Sequence, residues 1–273
     1  MDHARPSAGA ARVTSVAGLF GRAAAGYDEV GFFHQVARRL LVLAGVGPGM
    51  RVLDVACGTG AVLVQAARLT GTAGLAVGID LAEPMAAVVA RQLQRLGQGR
   101  GAVAVMDAER LGLRAGWFDV VCCGSAIYLL GDQAAAVRGW WEVLRPGGTL
   151  AISEFGDLDA RWAWKDELLG RFGPPMEPLG GGHLGPQELE QLLRQAGVDT
   201  VEVQVERLDV IYADAQAWWA QQWAHGERRP LERMDTAALA AYRAAAFAAI
   251  EACREADGAL HWRPESIYAI AST

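Results

Sequence analysis

From residue 51 onward, apolar positions follow two alternating periods. Short apolar runs at 51–56 (RVLDVA), 75–80 (LAVGID), 102–107 (AVAVMD), 117–124 (WFDVVCCG) and 149–155 (TLAISEF) read as strands buried on both faces. Between them lie stretches of helical spacing: AVLVQAARL from Ala61, EPMAAVVARQLQRL at 83–96, and 132–144. A further helix at 186–196 ends at Gly197 and leads to the strand VEVQVERLDVIY; SIYAIAS at 266–272 is the last strand. Strand–helix alternation of this kind predicts parallel strands with right-handed crossovers, hence a doubly wound α/β sheet covered on both faces. Ahead of it, residues 16–26 and 31–45 read as two helices, and 1–15 as a flexible tail.

Two segments stand outside the alternation. Residues 156–185 carry Trp162 and Trp164, and residues 214–263 carry Trp218, Trp219, Trp223 and the alanine-rich run AALAAYRAAAFAAIEACREA. Both read as cap insertions over the carboxyl ends of the strands, where open α/β sheets bind ligands. The chain therefore divides into the tail, an N-terminal helical lid (16–50) and one α/β domain (51–273) carrying the cap.

Composition narrows the partners. A net charge of −6 over 273 residues gives no basic face for nucleic acid. No stretch approaches the roughly 20 apolar residues of a membrane span, so no membrane association is expected. The N-terminus lacks the pattern of a signal peptide. A cytoplasmic, soluble protein is expected, with a homodimer left open. The four cysteines show no metal spacing and read as reduced structural thiols. No metal site is expected.

The chemistry concentrates at the strand ends. Asp54 lies within the run Val52-Leu53-Asp54-Val55, and the chain turns through Gly58-Thr59-Gly60 into a helix, exposing backbone N–H groups at a positive helix end. Asp80 closes the second strand, where a carboxylate accepts both hydroxyls of a ribose. Asp107 closes the third, placed to accept from an adenine amino group. Leu144-Arg145-Pro146-Gly147-Gly148 precedes the fifth. A dinucleotide fingerprint is absent, because Gly60 is followed by Ala61-Val62-Leu63. A phosphate loop is absent too, since no lysine follows the turn and Lys165 is the only lysine in the chain. A nucleoside ligand without phosphate suits the turn best.

This set resembles the class I S-adenosylmethionine-dependent methyltransferases, in the small-molecule branch of ubiquinone/menaquinone-type and natural-product enzymes. The resemblance covers residues 20–155 closely and 186–211 more loosely. It implies a Rossmann-like, mostly parallel seven-stranded sheet, S-adenosylmethionine as cofactor and S-adenosylhomocysteine as its product. It implies that Leu81 and Met85 sandwich adenine and that Ala108 offers it a backbone N–H, although Met85 reads equally as core. Tyr27, in the pair Tyr27-Asp28, would close over the donor's amino-acid end. Asp54 would anchor the turn or reach the donor's ammonium. Ala56 stands where the family carries glycine, and slight crowding is expected there. Ser125, Ile127 and Tyr128 would face donor and acceptor, although Tyr128 also fits under the next helix.

Methyl transfer needs in-line alignment, and for an oxygen or nitrogen acceptor a base within reach. The available groups are His34, His183, His225, His261, Glu154 and Tyr128; His183, in the loop Gly180-Gly181-Gly182-His183, and Glu154, ending the fifth strand, point most directly at a cleft. The acceptor is expected to be a small, apolar or polycyclic metabolite, methylated on oxygen or carbon. A cyclase that uses the donor structurally, and a non-catalytic binding subunit, are the alternatives.

Overall fold

The computed structural model describes residues 8–24, 27, 31–97, 101–175 and 178–273. The strands are β1 (Arg51–Val55), β2 (Leu75–Asp80), β3 (Gly101–Val105), β4 (Phe118–Gly124), β5 (Leu144–Phe155), β6 (Val201–Arg207), β7 (Val210–Tyr212), β8 (Leu260–Trp262) and β9 (Glu265–Ser272). The helices are α1 (Ala8–Ala23), α2 (Phe32–Leu43), α3 (Leu63–Thr70), α4 (Glu83–Leu96) and α5 (Gln133–Val143). They continue with α6 (Trp164–Phe172), α7 (Pro186–Gln195), α8 (Ala215–Ala224), α9 (Arg228–Leu231) and α10 (Thr236–Ile250). Seven strands form the main sheet in the order β3-β2-β1-β4-β5-β9-β6, and only β9 runs antiparallel to its neighbours. The order reverses between β1 and β4, which opens a crevice at their carboxyl ends.

Side-chain alternation along each strand sorts the core into two layers. Val52, Val120, Cys122 and Ala151 face α2, α3 and the cap, whereas Leu53, Val121, Cys123 and Ile152 face α5 and α7. The adjacent Cys122 and Cys123 thus enter opposite cores, and all four cysteines are free and buried. Asp119 sits at the irregular pairing between β4 and β5. It accepts the Arg51 backbone N–H and pairs with Arg145, which explains the arginine of the Leu-Arg-Pro-Gly-Gly run. Burial opposes its ionisation, but the two arginines hold it below the usual carboxylate range.

Three helices start alike. The side chains of Asp132, Asp214 and Asp235 accept the N–H of Ala135, Ala217 and Ala238, capping α5, α8 and α10.

Several elements differ from the sequence expectation. Helix α1 begins at Ala8, so residues 8–15 are helix and not tail; residues 1–7 lie outside the described residues, as does Asp28. Helix α3 starts at Leu63, two residues late, because the glycine turn runs on through Val62. The run at 201–212 is two strands: β6 joins the main sheet, while β7 pairs with β8 in a separate two-stranded sheet within the cap. A single 18-residue stretch among the described residues, Thr236–Cys253, is long and apolar enough by composition to cross a membrane. It sends Tyr242, Ala246 and Ile250 into the core, where α10 packs on α6. Its apolar character comes from alanine, chosen by helix propensity.

The small sheet is clamped by His261 on β8. Its Nδ1 lies 2.8 Å from Asp209 and its Nε2 2.9 Å from Asp257, an arrangement in which both ring nitrogens donate only as imidazolium. Asp257 first, then Asp209, raise the His261 pKa above its ordinary value. A folded pKa above the unfolded one means the native state binds more protons in between, so this contribution is lost as pH rises through the raised value. Thermal unfolding from about pH 6 to about pH 9 should show wild type losing its advantage over His261→Gln; a constant difference would disprove the clamp.

Candidate functional site

The turn after β1 is built by hydrogen bonds that the flanking strands impose. The Cys57 N–H donates to Ile79 O of β2, and the Gly60 N–H to Cys57 O, both at 2.9 Å. Asp80 is the central tie: its Oδ2 accepts the Gly58 N–H and its Oδ1 the Ala82 N–H, each at 2.8 Å. Burial raises the Asp80 pKa while these N–H donors oppose the rise. Gly60 has φ +103°, and a Cβ there would lie 2.4 Å from Val89 Cγ2, so this position admits only glycine. Ala56 carries φ +54°. This left-handed conformation strains a residue that carries a Cβ.

A cleft of about 930 Å³, including its open mouth, lies over this turn. Gly58 and Asp80 form its floor, and Leu81, Met85, Asp107 and Ala108 one wall. Met85 is both core and wall: it is 1% exposed and packs against Val16, Leu19 and Phe20 of α1. Asp107 accepts the Glu109 N–H, and the Ala108 carbonyl accepts from Trp140 Nε1, which confirms Trp140 as a core residue that also holds this loop. Ser125, with φ +51°, closes the other wall and donates its N–H to the Ser153 hydroxyl. Val16 and Phe20 of α1 cover the cleft from the N-terminal side, and Tyr27 and Phe33 from the cap side.

Asp54 lines the same cleft, buried, with the Leu63 N–H on its carboxylate and Oδ2 without a hydrogen-bond partner. Burial and the nearby Asp80 charge push its pKa well up. It anchors the turn and also presents an unmatched oxygen to the cleft.

Three residues named as catalytic candidates meet beside this cleft. Glu154 is fully buried at the end of β5; its Oε1 accepts the Phe155 N–H and faces His183 Nδ1 at 3.0 Å, while its Oε2 has no partner. His183 stacks on Tyr128 with 4.2 Å between ring centroids. The glycine loop makes this possible. Gly181 and Gly182 donate to Leu130 O and Tyr128 O, and Gly180 approaches so closely that a Cβ would lie 2.3 Å from the Leu129 carbonyl carbon. Tyr128 thus lies neither under the following helix nor free: burial pushes its phenol well above the ordinary value, so it stays protonated and cannot be a base.

The other histidines fall elsewhere. His261 belongs to the cap clamp. The backbone carbonyl of His34 accepts from Gln65 beside α3. His225 forms an aromatic layer with Tyr27 and Phe33, at 4.7 and 5.0 Å. Phe33 and Phe155 are site residues that the sequence reading missed. Phe33 sits beside Phe32 in an amphipathic helix, where spacing alone assigns both to the core. Trp219 turns towards Tyr242 and Phe247 and is cap packing, whereas Trp162 and Trp218 line a second cavity. Among the described residues no group of three or more His, Cys, Asp or Glu side chains is placed to hold a metal ion.

A nucleoside cleft at the switch point of a 3-2-1-4-5-9-6 sheet, with acids ending β1 and β2 and a third in the loop after β3, defines a Rossmann-like transferase. Residues 52–148 match the family described as "Methyltransferase domain". The chain is 33% identical over 228 residues to the nocamycin O-methyltransferase of Saccharothrix syringae, covering 77% of this chain and 81% of that one. The YcgJ protein of Bacillus subtilis shares the fold at a TM-score of 0.60 and 17% identity, covering 88% of this chain and 98% of that chain. The cyclase SpnF does so at 0.56 and 23% identity, covering 87% and 80%. The chain belongs to the S-adenosylmethionine-dependent methyltransferases.

The two left-handed positions of the turn respond oppositely to substitution. Ala56→Gly should raise stability by about 0.5–1 kcal/mol by relieving strain. Gly60→Ala should lower it by about 2 kcal/mol or more, through the clash with Val89. Urea unfolding checks both, and a destabilised Ala56→Gly would refute the strain.

Proposed function

We propose that this enzyme methylates an oxygen of a small, largely apolar or polycyclic metabolite, with His183 as the base and Glu154 as its orienting partner. The observation that carries this reading is the convergence of Glu154, His183 and Tyr128, with Glu154 following Ser153, whose hydroxyl accepts the N–H of the cleft residue Ser125. The nocamycin relative, an O-methyltransferase by name, supports oxygen over carbon.

The cleft residues fit S-adenosylmethionine. A carboxylate presents about four acceptor sites; the Asp80 carboxylate takes backbone N–H groups of Gly58, Ala82 and Leu81 and keeps acceptor capacity for a ribose hydroxyl. The unmatched Asp54 Oδ2 suits the donor's ammonium group. Leu81 and Met85 offer apolar surface to the adenine, and Asp107 with the Ala108 N–H offers polar groups to its edge. When bound, the donor supplies an electrophilic methyl carbon on a sulfonium. Tyr27 and the α1 side chains exclude water from it.

The chain's own residues handle the proton. With Glu154 accepting from His183 Nδ1–H, the Nε2 lone pair is free to take a hydroxyl proton from the acceptor, and the buried carboxylate stabilises the imidazolium that results. Tyr128, stacked on the ring, fixes its plane.

Incubation with methyl-labelled donor and a panel of hydroxylated polycyclic compounds, read by mass spectrometry, should yield a labelled methyl ether. His183→Ala should cut kcat by about 10²–10⁴-fold, less so at high pH where the acceptor ionises unaided, with donor affinity unchanged by calorimetry. Substrate consumed without label would overturn methylation in favour of cyclisation. A pH-independent loss in His183→Ala would remove the base.

A further inference from the structure

His183 reaches Glu154 from a loop that has little of its own to hold it. Residues 178–185 contain no helix or strand, and Gly180, Gly181 and Gly182 lead directly into the histidine. Its side chain is 59% exposed. Three successive glycines leave the backbone a wide choice of conformations. A base carried on such a loop keeps a productive geometry only where a rigid neighbour fixes the path of the chain.

Gln133 is that neighbour. It is the first residue of α5, whose amino end is capped by Asp132 and whose inner face buries Ala136, Val137 and Trp140. Its Nε2 donates to Ile127 O at 3.1 Å and to Gly182 O at 3.0 Å, which uses both N–H groups of the amide. Gly181 lies against the same amide: a Cβ there would stand 2.7 Å from Gln133 Cδ and 3.0 Å from both Nε2 and Oε1. The helix has no need of this side chain, because Asp132 already serves as its cap.

The two carbonyls belong to particular peptide bonds. Ile127 O is on the peptide that enters Tyr128, and Gly182 O on the peptide that enters His183. These are the two residues whose rings stack at 4.2 Å. One amide group therefore sets the spacing of the backbones from which both rings project. The Gly181 and Gly182 N–H groups, on Leu130 O and Tyr128 O, complete the junction.

Resting on the role of His183 as base proposed above, we infer that Gln133 is a positioning residue of the site: it ties together the peptides entering Tyr128 and His183 and so holds the imidazole on Glu154 with Nε2 open to the acceptor. The role requires two donors on one nitrogen at this length of side chain. Glutamate matches the shape, but its oxygens would face two carbonyl oxygens; leucine fills the space without a donor.

The imidazole itself reports the outcome. In the full chain with ¹⁵N-ring-labelled histidine, at about pH 9 where an ordinary imidazole is neutral, wild type should show His183 as a single Nδ1–H tautomer, assigned by the signals lost in His183→Ala. In Gln133→Glu and Gln133→Leu the ring should leave Glu154 and show both tautomers. Far-UV circular dichroism should be unchanged in both, and S-adenosylmethionine affinity by calorimetry within about threefold of wild type. A carboxylate in the first turn suits the helix dipole, so Gln133→Glu keeps the start of α5. For the phenol labelled in the panel above, the two variants should lower kcat about 10–100-fold with KM within about threefold. In a His183→Ala background the same substitutions should cost less than about threefold. Gln133→Asn, which keeps the amide but draws it one methylene short of both carbonyls, gives the same readout should the other two not fold. A single His183 tautomer retained in the folded variants, or an equal loss of kcat with and without His183, would overturn the assignment. Should no phenol be labelled, the tautomer measurement decides alone. Full activity in His183→Ala, with the tautomer lost in the Gln133 variants, would remove the base and leave the tie from Gln133 to the imidazole standing.

Discussion

One carboxylate holds the donor cleft in shape. Asp80 ends β2 and accepts N–H groups from two different loops, that of Gly58 after β1 and that of Ala82 before α4. Without it, both loops would carry unmatched backbone donors at a buried site. The spacing of β1 and β2 as parallel neighbours, with Asp54 opposite Gly78 and Val55 opposite Ile79, brings Asp80 next to the turn. Everything at the cleft inherits that register: the glycine turn, the wall of Leu81 and Met85, and the position of α1 over them.

The site also gathers strained backbone and unmatched carboxylate oxygens. Ala56 and Ser125 are the non-glycine residues with positive φ among the described residues, and both line the cleft. Asp54 and Glu154 each bury a carboxylate oxygen with no partner. Strain and unmatched polar atoms lower stability, and their clustering where β1, β4 and β5 end marks groups held ready for a ligand. Elsewhere aspartates cap three helices, and Asp119 ties β1, β4 and β5 together through Arg51 and Arg145.

An aromatic layer then divides the space above the sheet. Phe33, Phe155 and His225 stand between the donor cleft and the tryptophan-walled cavity, and Phe155 also contacts His183 edge-on at 5.5 Å. The same rings thus shield the donor, position the imidazole and bound the second cavity.

Local chemistry made much of this readable from the chain. Apolar runs of strand length, the Gly58–Gly60 turn and acids closing strands depend on neighbours in sequence, so β1 to β5 and the cleft floor could be written down from the residues. Glu154, His183 and Tyr128 were identifiable by type and position, but their meeting was not. It depends on Gly180–Gly182 folding back on Tyr128–Leu130, a contact between segments some fifty residues apart. The same limit applies to 201–212, whose unbroken strand pattern hides a change of sheet decided by which partner, β9 or β8, each half meets. The ion pair of Lys165 with Glu227 likewise joins α6 to the start of α9 across 62 positions. The sequence by itself determined the period of each element, the turn chemistry and the identity of the donor. Only the tertiary structure decided which charges face each other, because burial and pairing are properties of chain segments brought together from a distance.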